Sequence, residues 1–142
     1  MLEAIKMAKK AAKKDEVPVG AVIVWRDGVI ARAKNERESR KDPLAHAEIL
    51  AIKKAARSIG GWRLLDCTMY VTLEPCTMCA GAIANARIAQ VVFGAYDKKG
   101  GAYGSLYNIA DGKLNHTPKI YGGVMEDECA KLLKSYFSAK RR

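Results

Sequence analysis

The chain has 142 residues, 49% of them hydrophobic, and carries 25 Lys and Arg against 15 Asp and Glu, a formal net charge of +10. That length suits one domain with a moderate core, and apolar runs such as residues 21–25 and 91–93 fall far short of the ~20 residues that span a bilayer. Met1 to Ile5 lack the long apolar core of a secretory leader, so a cytoplasmic location is expected, and the excess positive charge favours a polyanionic partner.

In chain order, Leu2, Ile5, Ala8 and Ala12 recur at helical spacing, predicting a basic amphipathic helix to about Lys14. Asp15-Glu16-Val17-Pro18 breaks it, and residues 19–25 read as a buried strand. Arg26-Asp27-Gly28 is a hairpin signal in which Gly28 is expected to take a positive φ, with residues 29–33 as the returning strand. Asp42-Pro43 then precedes a helix over residues 45–58, whose apolar face carries Ile49, Ile52, Ala55 and Ala56 and which Gly60-Gly61 ends. Residues 67–73 are β-rich, a helix follows from Cys76 to about Ala86, and residues 90–95 form another strand.

The loop at 97–104 mixes lysines, glycines and aromatics. Those ingredients suit approach to a nucleic-acid backbone, although a flexible solvated loop has the same composition. Residues 105–110 suggest a short helix and 119–121 a short edge strand. A packing helix over residues 126–136 ends the chain, with a basic tail at Lys140, Arg141 and Arg142. This alternation predicts an α/β fold, a three-layer α/β/α sandwich with a central mixed sheet of about five strands. The helices beginning near His46 and Cys76 would lie side by side on one face with their N-termini converging.

Cys76 and Cys79, three positions apart at a helix start, direct both sulfurs toward one point. A helix N-terminus also favours the thiolate that binds metal. Such a pair alone suits half of a structural zinc site, but that site wants four protein ligands. The other candidates, Cys67, Cys129 and His116, stand singly, and both of these cysteines read as small core residues. His46 offers a third ligand, and three ligands with one open position is the catalytic arrangement. Glu48, two residues on, can take up and return protons beside the metal. His-x-Glu followed by Pro-Cys-x-x-Cys is the pattern of zinc nucleobase deaminases.

Beyond that pattern, several stretches resemble the bacterial tRNA-specific adenosine deaminases of the cytidine deaminase-like superfamily. They include Glu16-Val17-Pro18-Val19-Gly20-Ala21, Gly61-Trp62-Arg63-Leu64, Tyr70-Val71-Thr72-Leu73-Glu74-Pro75-Cys76, Val92-Phe93-Gly94-Ala95 and Asn115-His116. The resemblance implies hydrolysis of adenosine to inosine at the wobble position, 34, of a tRNA anticodon. It makes His46, Cys76 and Cys79 ligands of one Zn²⁺ per subunit and Glu48 the proton shuttle. It further implies that Asn35 hydrogen-bonds the purine, the Ala47 N–H reads the base edge, and Val19 and Pro75 wall the pocket. Asp97, Asn115 and Phe137 match positions lining the RNA groove, and a homodimer is expected. Tyr96, Tyr103 and the Tyr136-Phe137 pair depart from common family residues. The competing readings are a deaminase of free nucleobases or nucleosides, and a non-catalytic RNA-binding module with a structural zinc.

Overall fold

A computed structural model describes residues 1–141 of the chain, and Arg142 of the expected basic tail lies outside the described residues. The elements are α1 (Leu2–Lys13), β1 (Gly20–Trp25), β2 (Gly28–Lys34), α2 (Ala47–Ile59), β3 (Cys67–Leu73), α3 (Thr77–Ala86), β4 (Gln90–Ala95), β5 (Lys119–Tyr121) and α4 (Glu126–Lys140). The five strands form one mixed sheet in the order β2-β1-β3-β4-β5. β1 is antiparallel to both neighbours, while β3, β4 and β5 run parallel.

Because strand side chains alternate between faces, the sheet buries two apolar surfaces. Ala21, Ile23, Met69, Val71, Val91 and Phe93 pack with Ala47, Leu50 and Ala51 of α2 and Ala80 and Ile83 of α3. On the other face, α1 lies so close to β1 that a Cβ on Gly20 would sit 2.1 Å from the Ala4 carbonyl oxygen. There α4 places Cys129 Sγ where a Cβ on Gly94 would be. Helices therefore cover both faces of the expected five-stranded sheet, with α2 and α3 adjacent on one of them. Cys67 and Cys129 are buried core residues, as their isolation in sequence suggested.

Two local expectations are corrected. The hairpin closes by pairing Trp25 with Gly28, so Gly28 belongs to β2 and the positive φ of 57° falls on Arg26. Residues 105–110 form no helix, because their backbone N–H groups are drawn to partners other than the fourth residue back. Ser105 N–H goes to the Glu74 carboxylate, Leu106 N–H to the Gly101 carbonyl and Ile109 N–H to the Ala102 carbonyl. Asn108 instead bridges to Tyr103. β4 thus reaches parallel β5 through a long folded loop with no helix.

Candidate active site

His46 is the N-cap residue of α2 and Cys76 that of α3, each just outside the helix in extended conformation, with Cys79 in the first turn of α3. The two cap side chains turn toward each other. His46 Nδ1 lies 3.8 Å from Cys76 Sγ and 3.6 Å from Cys79 Sγ. The donor atoms of these three residues all lie within 4.8 Å of one another. One imidazole and two thiols at that spacing fit zinc, which accepts N and S ligands, and fit poorly the oxygen-seeking Mg²⁺ and Ca²⁺.

The electrostatics suit a cation. The hydrogen bond from the Cys79 thiol, then that from His46, brings Cys76 down to about 4 despite burial. The same thiol hydrogen bond and burial push Cys79 up, and the hydrogen bond to Cys76 raises His46. One sulfur is thereby held as a thiolate at neutral pH. Glu48, 4% exposed, is pushed up to about 7 chiefly by burial. A carboxyl group with that pKa is poised to bind and release a proton near neutrality.

These groups open into a cleft of about 130 Å³ lined by Val17, Val19, Asn35, Arg37, His46, Ala47, Glu48, Leu73, Glu74, Cys76 and Asp97. Of the site residues expected from sequence, Val19, Asn35, Ala47 and Asp97 therefore stand with the metal donors and Glu48. Asn35 donates from Nδ2 to the Val17 carbonyl (3.3 Å) and accepts the Arg37 N–H at Oδ1 (3.2 Å), leaving one amide hydrogen and one lone pair for a ligand. Ala47 opens α2, where backbone N–H groups lack intrahelical partners. Pro75 is buried and does not line the cleft; its carbonyl accepts the Ala102 N–H at 2.9 Å.

Phe137 lines a second depression, which shares Val17, Leu73 and Asp97 with the cleft and adds Tyr96, Lys98, Lys99, Leu133, Lys134 and Arg141. Tyr96 is 49% and Phe137 43% exposed, so aromatic faces and basic side chains meet at its surface. Asn115 is exposed and lines neither depression. His116 beside it is used internally, donating from Nε2 to the Ile88 carbonyl at 2.6 Å.

Sequence reasoning missed Glu16, Arg37 and Glu74. Glu16, 1% exposed, accepts the N–H groups of Glu38 (2.9 Å) and Ser39 (2.6 Å), fixing the loop that follows Asn35. Glu74, also 1% exposed, accepts from the backbones of Asp97, Tyr103 and Ser105 and from the Ser105 hydroxyl. The 97–104 loop is accordingly pinned at Asp97 and Tyr103. A clue was present: an acid at the end of an apolar strand, as in Leu73-Glu74-Pro75, is costly unless donors surround it.

A family model described as MafB19-like deaminase matches residues 1–140, the class that this fold and donor set define. The chain is 50% identical to the tRNA-specific adenosine deaminase of Bacillus subtilis over 143 residues, covering 100% of this chain and 89% of that protein. A solved structure from studies of A-to-I editing by tRNA:A34 deaminases at the wobble position superposes with a TM-score of 0.88. It is 43% identical and covers 94% of this chain and 97% of its own. A guanine deaminase from Bacillus subtilis is more distant, at 30% identity and a TM-score of 0.65, covering 99% of this chain and 90% of that one. The chain belongs to the tRNA-specific adenosine deaminase family.

Proposed function

We propose that the chain is a single deaminase domain that converts adenosine to inosine by hydrolysis at position 34 of a tRNA anticodon. The carrying observation is the convergence of His46, Cys76 and Cys79 beside buried Glu48, in a cleft continuous with a basic, aromatic groove. The relatives' activity supports the substrate: the tRNA-specific enzyme is 50% identical, against 30% for the guanine deaminase. That guanine deaminase keeps deamination of a free base as the second reading. A fourth protein ligand, which a structural zinc would need, is absent from the His46, Cys76 and Cys79 group among the described residues.

His46 Nδ1 and the sulfurs of Cys76 and Cys79 would hold one zinc ion. Zinc bound there would supply a water whose pKa is lowered to about 7. Glu48 would take one proton from the attacking water and pass it to N1 of adenine as the oxygen adds to C6, then take the second proton from that oxygen and pass it to the amino group, so that the C6–N bond breaks, ammonia leaves and the C6 carbonyl of inosine forms. Asn35 and the Ala47 N–H would orient the base by its polar edges, and Val19 would close one wall. A base must leave its stack to enter such a cleft, and a loop nucleotide leaves more cheaply than a paired one. Tyr96 and Phe137 offer faces on which neighbouring bases stack, while Lys98, Lys99, Lys134 and Arg141 meet phosphates.

A cytoplasmic location accords with a tRNA substrate, and no described helix is long and apolar enough to cross a membrane. A homodimer accords with the exposed Leu44, Trp62, Leu65 and Leu106. The test incubates zinc-loaded protein with an adenosine-34 anticodon stem-loop, its guanosine-34 counterpart and free adenosine. Inosine is expected in the first alone, lost with a chelator and restored by zinc. Deamination of free base or nucleoside with the stem-loop untouched would overturn the tRNA assignment.

A further inference from the structure

The loop joining β4 to the 105–118 segment is wound around one buried carboxylate. Glu74 Oε1 accepts the Asp97 N–H (3.1 Å) and the Ser105 hydroxyl, and Oε2 accepts the N–H groups of Tyr103 (3.0 Å) and Ser105 (3.1 Å). Glu74 forms no ion pair among the described residues, so these four donors alone compensate a charge that is 1% exposed. Charge-assisted bonds of this kind are about twice as strong as neutral ones. The fit leaves no slack, since a Cβ on Gly101 would lie 2.3 Å from the carboxylate carbon. The next residue along, Pro75, grips the same loop by its carbonyl, and the one after that is the metal donor Cys76.

Glu74-Pro75-Cys76 therefore sets both a metal donor and the loop bearing Asp97, which lines cleft and groove alike, with Lys98 and Lys99 on the groove. We infer that Glu74 is a positioning residue for substrate selection, holding the RNA-facing loop at a fixed offset from the metal so that a base is accepted only with its flanking RNA engaged. This rests on the proposed tRNA reading. It assigns Glu74 to binding and leaves proton transfer to Glu48.

The test compares the zinc-loaded wild type with Glu74→Gln, which turns an amide N–H₂ on the loop's donors, and Ser105→Ala, which removes one of the four bonds. The expected result for Glu74→Gln is a KM for the adenosine-34 stem-loop raised ~10-fold or more, with kcat within about threefold. Its zinc content should stay equal and amide exchange should quicken at Asp97, Tyr103 and Ser105. Ser105→Ala should move KM the same way by less, and it decides the matter should Glu74→Gln fail to fold. Unchanged KM in the folded variants, or a fall in kcat with KM constant, would overturn the inference. Wild-type protein inactive on the stem-loop, with exchange at the loop still dependent on Glu74, would instead overturn the tRNA reading while leaving the clamp in place.

Discussion

Glu48 in the floor of the cleft and Glu16 behind its wall are almost equally buried, at 4% and 1% exposure, yet their carboxyl groups behave oppositely. Burial would raise Glu16, but the N–H groups of Glu38 and Ser39 aimed at it outweigh burial and hold it below the usual carboxylate range. Glu48 has its own backbone N–H and the Cys79 thiol, too little to offset burial, and rises to about 7. The difference lies both in what faces each carboxylate and in depth: Glu16 sits just beneath the surface with backbone donors aimed at it, whereas Glu48 lies deep with few. Where backbone donors converge the fold fixes a charge and a loop; where they are withheld it keeps a proton carrier.

The largest effect that would break this comparison is on turnover. Glu48→Ala is expected to lose about 10²–10⁴ in kcat on the stem-loop while retaining its zinc, because general acid–base transfer is worth that much. Inosine formation and metal content measured on the same sample check it, and a metal-loaded variant with near-normal activity would remove the shuttle.

Stability comes next. Glu16→Gln places an amide N–H₂ against backbone donors and is expected to cost about 1–3 kcal/mol, read from urea unfolding. The two carboxylates should also give pH dependences of opposite sign. Glu16 is depressed in the folded state, so its contribution is present above the unfolded carboxylate value and disappears as pH falls through the lower folded one. Glu48 is raised, so its contribution is present below the unfolded value and is lost as pH rises through about 7. In zinc-stripped protein, Glu48→Gln should flatten the loss on the neutral side and Glu16→Gln the loss on the acid side. The same slopes in wild type and variants would show that the contrast plays no part in folding.

The smallest effect is at the groove. With a net charge of +10, RNA affinity should fall steeply with salt. Lys134→Ala should lower the slope of log K against log salt by about 0.7, the value for one single-strand phosphate contact. A salt-independent binding constant would exclude the electrostatic account of the groove.

Much of this molecule was legible because its signals are local. The strands and helices declare themselves by periodicity, Cys76 and Cys79 by a spacing that one helical turn converts into a shared direction, and His46 and Glu48 by their place just before and within the first turn of a helix. The short helix expected at residues 105–110 failed for a reason no local signal carries: its N–H groups find Glu74, Gly101 and Ala102 instead of one another. Likewise Gly28 carries the hairpin pattern, but the pairing of Trp25 with Gly28 moves the left-handed residue to Arg26.

The sequence by itself determined the Cys76–Cys79 pair, the His46–Glu48 pair and the alternation that makes a sheet covered by helices, since each depends on residues a few positions apart. Only the tertiary structure decided how the cleft is walled. Glu16 and Glu74 are 22 and 23 residues from the first backbone groups they hold, Glu38 and Asp97, and Phe137 meets Asp97 across a groove made by separate elements. Bonds over such separations form when the sheet brings strand ends together, and composition or spacing does not encode which donor a buried carboxylate will find.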